Sequence, residues 1–166
     1  MKLELKNVKI HEDISEETTC FSAYLYINGK KAAYCKNRGY GGATDVDFEN
    51  RETMLAFKKY CKENPIVHYF NGKEYSYDSM DVRIDELLVE YQCKNDLKKW
   101  QKNKLCLHKK ESKDAEYIIH ATFSLKRPIK ELLETEDGKI SLEIAVKAMN
   151  DKGYIVMNTN LENIRL

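Results

Sequence analysis

Two Asn-Gly dipeptides, Asn28-Gly29 and Asn71-Gly72, constrain this chain more than any other feature of its sequence. A type I′ turn needs positive φ at both central residues, and Asn-Gly meets that need at little steric cost, so each dipeptide predicts a β-hairpin. Asn28-Gly29 joins FSAYLYI to KKAAYCK. With a two-residue loop, Leu25 faces Ala32, Ala23 faces Tyr34 and Phe21 faces Lys36. That register puts Phe21, Ala23, Leu25, Ile27, Ala32 and Tyr34 on one core face. Asn71-Gly72 joins IVHYF to KEYSY and pairs His68 with Tyr75 and Ile66 with Tyr77. In the opening LELKNVKI the alternation changes phase near Lys6-Asn7, which a bulge would restore. KLCLH and EYIIHATF flank the polar ESKDA as a third, looser hairpin, and YIVMN after Gly153 supplies a last strand.

Helices are predicted between the hairpins. Asn50 caps RETMLAFKKYCKEN, with Met54, Phe57 and Cys61 on one side and Pro65 as the stop. A longer helix opens at Ser79, with Ile84, Leu87, Leu88 and Tyr91 as a stripe continued by Leu97 and Trp100. Pro128 suits the first turn of PIKELLE. KISLEIAVKAMNDKG alternates like a strand but also carries the polar helical stripe Lys139, Glu143, Lys147 and Asn150; helix is preferred because Ala145, Ala148 and Met149 complete an apolar face and Gly153 suits a helix end. The expected fold is α+β, a single domain over residues 1–166, with an antiparallel sheet built from hairpins and packed with three to four helices.

Composition narrows the class. With 166 residues and 42% hydrophobic content the chain can bury a continuous core. No apolar run approaches the roughly 18 residues of a membrane span, and MKLELKNVKIHEDISEE lacks the apolar stretch of a signal peptide, so a cytoplasmic protein without a membrane partner is expected. Cys20, Cys35, Cys61, Cys93 and Cys106 are odd in number and include no CxxC pair, which reads as reduced packing residues.

The 28 basic and 27 acidic residues nearly cancel, but they are unevenly placed. Residues 94 to 110, KNDLKKWQKNKLCLHKK, carry a formal +6 against −5 for the rest. Lys94, Lys98 and Lys102 repeat every four residues as a cationic stripe, with Trp100 beside them, and form a candidate surface for an anion or nucleic acid. A solvated face with Trp100 turned inward is the plainer reading.

Gly39, Gly41 and Gly42 fall within KNRGYGGATDVDF. Clustered glycines let backbone N–H groups converge on a phosphate, and Lys36 and Arg38 approach from one side. The spacing is neither a P-loop nor a dinucleotide fingerprint, and a sharp connection with Tyr40 covering the core edge is the competing reading. Asp45 and Asp47 alternate around Val46 and share one face, too few for a metal cage and best read as solvated. His11, His68, His108 and His120 have no metal-ligand spacing; apart from a Cys106–His120 pairing across the fold, no nucleophile and base can be named. Among the eleven tyrosines, Tyr24 and Tyr26 stand opposite the core face of the first hairpin and Tyr69 likewise on the second, which suits stacking or an interface.

The segment SEETTCFSAYLYINGKKAAYCKNRGYGGATDVDF resembles the opening of small proteins encoded by bacteriophages and mobile elements of Bacteroidetes, and KGYIVMNTNL resembles their closing segment. The resemblance implies a context in which short accessory proteins inhibit host defence, by gripping a defence protein or by sequestering a nucleotide signal. It implies no functional residue. The expected function is a non-enzymatic binding protein, an anti-defence protein that sequesters a nucleotide or cyclic nucleotide. The ligand-binding set is Lys36, Arg38, Gly39, Tyr40, Gly41, Gly42 and Thr44 with Tyr24 and Tyr26, and no catalytic residue, metal or cofactor is called for. The alternatives are an inhibitor or interaction module acting on a host protein, and nucleic-acid binding through residues 94–110. Oligomeric state stays open.

Overall fold

The structure, a computed structural model, describes residues 1–161 and residue 164. It is α+β, and all strand pairs among the described residues are antiparallel. Contacts gather into two compact units, Met1–Tyr91 and Gln92–Leu166.

In the first unit, β1 (Leu3–Ile10), β2 (Phe21–Ile27), β3 (Lys30–Asn37) and β4 (Asp45–Phe48) form a sheet in sequential order. The Asn28-Gly29 turn is as expected, with φ of 51° and 80° and Ile27 opposite Lys30. Beyond the turn the predicted register fails. Tyr26 pairs with Lys31, but Leu25 pairs with Ala33, so Ala32 is an extra residue bulged out of the ladder. Ala32 and Ala33 are therefore both buried, Cys35 enters the core, and Tyr34 turns to the opposite face at 37% exposure. Placing Tyr34 in the core was wrong because alternation cannot register a one-residue bulge. The bulge expected in β1 is present: Lys6 pairs with Tyr24 and Lys9 with Ser22, and Asn7 has φ of 52°.

One face of this sheet is sealed by α1 (Arg51–Glu63) and by the part of α2 (Met80–Trp100) that lies in the first unit. The Asn50 side chain accepts a hydrogen bond from Thr53 N at 2.8 Å, capping α1. Phe57 and Cys61 from α1 and Ile84 and Leu88 from α2 meet Leu5, Phe21, Ala23 and Leu25. The second Asn-Gly turn joins β5 (Ile66–Phe70) to β6 (Lys73–Tyr77) in the predicted register, as a separate two-stranded sheet in which only Ile66 is buried.

In the second unit, β7 (Lys104–Lys109) lies between β8 (Ala121–Ser124) and β9 (Tyr154–Val156). The strand expected over EYIIHATF is confined to its last residues, because residues 110–120 form a side-chain-bonded connection instead. Leu105 and Leu107 pack on α3 (Ile129–Leu133) and α4 (Glu136–Asp151), where Ile129, Leu142, Val146 and Met149 complete the core. Residues 139–150 are thus helical; Thr135 caps α4 through Gly138 N, and Gly153 follows it at φ of 83°.

Phe57 is fully buried with its ring 5.7 Å from that of Phe48. Phe57→Ala should cost about 3–5 kcal/mol, read as a lower denaturation midpoint in urea with unchanged slope.

Candidate functional site

With the inner face of the four-stranded sheet closed, its outer face is ordered by register alone. Three rows cross it: Glu4, Tyr26 and Lys31; Lys6, Tyr24, Tyr34 and Asp47; Lys9, Ser22, Lys36 and Asp45. Tyr24 and Tyr34 are cross-strand neighbours with ring centroids 5.4 Å apart. The Asn7 bulge opens the β1–β2 ladder beside them, leaving a concavity of about 530 Å3 lined by Asn7, Val8, Lys9, Ser22, Tyr24 and Tyr34.

Lysines occupy the ring faces of this surface. Lys31 Nζ lies 4.3 Å from the Tyr24 centroid and Lys6 Nζ 4.7 Å from that of Tyr26. Exposed ion pairs hold Lys6 to Glu4 at 3.5 Å, Lys31 to Glu49 at 3.5 Å and Lys36 to Asp45 at 4.0 Å. Such pairs contribute at most about 1 kcal/mol each, so an anion of suitable geometry can displace them. Lys9, at the rim of the concavity, has no ion pair among the described residues.

The glycine loop is a different construction. Asn37, inward-facing and buried, organises it: Oδ1 accepts from Thr18 Oγ1 and Gly39 N, both at 2.9 Å, while Nδ2 donates to Gly42 O at 2.9 Å and Thr44 Oγ1 at 3.2 Å. Thr44, itself buried, donates its hydroxyl to Asp85 on α2. Gly41 N donates to Thr18 Oγ1, and the Gly39 carbonyl accepts from Glu16, Glu17 and Thr18 N. The N–H groups of Gly39 and Gly41 are thus spent within the protein, and the Glu17 carboxylate lies against Gly41, where it would repel an anion. Desolvation raises the pKa of Asp85, while the Thr44 bond opposes the rise. Tyr40 does not cover a core edge; it is 62% exposed, and Arg38 is exposed as well.

The expected ligand-binding set therefore separates. Lys36, Tyr24 and Tyr26 share the outer face of the sheet, whereas Gly39, Gly41, Gly42 and Thr44 belong to the Asn37 network. Lys31 joins the face in the register the turn sets and Lys9 through the Asn7 bulge, whereas Tyr34 joins it through the Ala32 bulge, which only pairing reveals. Asn37 carried no visible signal, because a lone Asn before a glycine resembles any turn residue.

The lysine segment is likewise divided. Lys94 and Lys98 are exposed on α2, but the helix ends at Trp100, so Lys102 sits in the following turn rather than on a continuous helical stripe. Trp100 is half-buried with Lys104 Nζ 5.6 Å from its ring, and β7 then carries four buried residues before Lys109.

The histidines of the second unit form a compact cluster. His108 and His120 meet edge to face at 4.7 Å. His120 Nδ1 accepts from Lys109 N at 3.3 Å, which assigns the proton to Nε2, and Nε2 donates to Asp114 Oδ2 at 2.9 Å with Ser112 Oγ at 3.2 Å. A hydrolytic relay needs the hydroxyl and the carboxylate on opposite imidazole nitrogens; here both address Nε2. Burial pushes the Cys106 thiol up and Cys35 to about 12, so neither is a ready thiolate. Among the described residues no group of three or more His, Cys, Asp or Glu could hold a metal, and no helix is long and apolar enough to cross a membrane. No family model, curated protein or solved structure matches the chain.

Gly39 has φ of 90°, and a Cβ there would stand 2.7 Å from Ile14 O, whereas Gly42 meets nothing within 4 Å. Gly39→Ala should destabilise by about 1–3 kcal/mol and Gly42→Ala by well under 1, measured by thermal or urea unfolding. The hydrogen bond from His120, then that from Ser112, lowers the pKa of Asp114 below the usual carboxylate value. Its contribution to stability is therefore complete above the unfolded-state pKa and is lost as pH falls through the lowered folded value. Asp114→Asn should flatten the acid limb of a Tm against pH curve.

Proposed function

We propose that this protein is a non-enzymatic binding protein that holds a nucleotide on the outer face of its four-stranded sheet. The observation that carries the reading is the convergence of Tyr24, Tyr26 and Tyr34 with Lys6, Lys9, Lys31 and Lys36 on one open face, backed by a sealed core and indented beside Tyr24 and Tyr34. A base stacked on an aromatic side chain is worth about 1–3 kcal/mol, more than the 0.5–1 kcal/mol of an exposed lysine over a ring. A base would displace Lys31 and Lys6 from the tyrosine faces and leave them able to meet phosphate. Lys9 and Lys36 flank the same concavity from the next row. In this reading binding alone is the activity, as suits a protein that sequesters a signal.

Calorimetric titration with a panel of mono-, di- and cyclic nucleotides tests the reading. At least one member should bind, with affinity falling about 5- to 100-fold in Tyr34→Ala and Tyr24→Ala and remaining unchanged in Gly42→Ala. No heat and no thermal shift for any member, with a folded sample, would refute it.

A second reading, docking on a host protein, is favoured by the β5–β6 hairpin. Its Tyr69, Tyr75 and Tyr77 are exposed and Phe70 is 66% exposed, an aromatic density that water alone does not favour. That reading predicts a stoichiometric partner whose binding is insensitive to nucleotide and lost in Phe70→Ser, while Tyr34→Ala leaves it intact.

A further inference from the structure

The second unit carries a groove that neither reading uses. On α4, Leu142, Val146 and Met149 point into the core, and Ser141, Ile144, Ala145 and Ala148 recur at helical spacing beside them, with Lys152 just past the helix end; Leu142 and Met149 border the groove as well. The small side chains at 141, 145 and 148 leave a trough. Its other wall is the stretch Phe123 to Arg127 together with Leu132, and the enclosed volume is about 570 Å3, within the range of small-molecule sites. The trough runs along three helical turns, about 16 Å from Ser141 to Lys152.

Two features describe what would fill it. The interior is apolar, and apolar side chains remain open to water at its edges, Ile144 at 65% and Phe123 at 41% exposure. Its charged lining is of one sign. Lys126 and Arg127 line the groove at one end and Lys152 at the other; among the described residues no acidic side chain lines it and none of the three cations is ion-paired. An unpaired cationic rim around an apolar trough is complementary to a molecule with an apolar body and an anionic end. A nucleotide fits poorly, since among the described residues Phe123 is the only aromatic side chain in the lining.

We propose that this groove binds an amphiphilic anion, an unbranched aliphatic chain lying along Ala145 and Ala148 with a carboxylate or phosphate head held by Lys126 and Arg127 at the end where β8 runs out. The chain gains by leaving water, at about fourfold in affinity for each methylene buried. The guanidinium of Arg127 can engage two oxygens of the head at once, and Lys126 adds point charge.

Amide-resolved NMR titration of the full chain with dodecanoate and with dodecyl phosphate, both below their micelle-forming concentrations, tests the proposal and separates the two kinds of head. Shifts should cluster in residues 123–127 and 141–152. Affinity should rise about fourfold per methylene from octanoate to dodecanoate, and dodecyltrimethylammonium should bind at least tenfold more weakly. Lys126→Glu combined with Arg127→Glu alters only exposed side chains and should weaken dodecanoate at least tenfold with the amide spectrum otherwise preserved. Ala148→Trp should fill the trough and abolish binding. The proposal is overturned by an absence of shifts, by shifts scattered over both units, or by a cationic amphiphile binding as tightly as the anion. Because the tyrosine face belongs to the other unit, the nucleotide titration and this one succeed or fail separately.

Discussion

One bulged residue, Ala32, decides which side chains of the four-stranded sheet meet the core. Between the Asn28-Gly29 turn and Ala33 the strand carries one residue more than its partner, and every position beyond it changes face. Two adjacent alanines can both turn inward because neither has volume to displace Leu25 or Phe57, and Cys35 follows them as a compact apolar group. The same inversion sends Tyr34 and Lys36 to the outer face beside Tyr24 and Ser22. Without the bulge, Tyr34 would be driven into the core and the tyrosine cluster would lose a member. With the Asn7 bulge in the β1–β2 ladder, β2 is pinned by an irregularity on each side, which makes a register slip costly.

The second organising element is polar. Asn37 makes four hydrogen bonds from a buried position, tying Thr18, Gly39, Gly42 and Thr44 together, and Thr44 passes the connection to Asp85. A buried amide with every partner in place is highly directional, and losing one partner would leave a desolvated group. Gly39 is needed here because its carbonyl receives three N–H groups while its backbone sits against Ile14, where a side chain has no room. Gly39 and Gly41 thus serve the close packing of two loops around one asparagine.

The second unit solves a comparable problem with a helix that has two apolar faces. Leu142, Val146 and Met149 of α4 are consumed by the sheet and α3, yet Ile140 and Ile144 remain open. The connection between β7 and β8 is held by His120, Asp114 and Ser112 rather than by strand pairing, so this unit gains order from side-chain hydrogen bonds where its strands are short.

The sequence alone determined the local elements of the protein. Both Asn-Gly turns, the Asn50 cap, the Gly153 stop and the Asn7 bulge follow from backbone conformation and capping chemistry, which act within a few residues and leave their marks in residue type. The helical state of 139–150 was legible because its apolar face outweighed its alternation. The tertiary structure alone decided which strand residues faced outward past Ala32, that the β5–β6 hairpin stands apart from the larger sheet, and that the glycine loop is closed by Asn37. Those outcomes depend on pairing register and on partners distant in the chain: Thr44 meets Asp85 across 41 positions. The near-balance of charge likewise gave no hint that Lys126 and Arg127 border an apolar groove whose far end carries Lys152, because its two walls meet only when α4 folds back on the sheet.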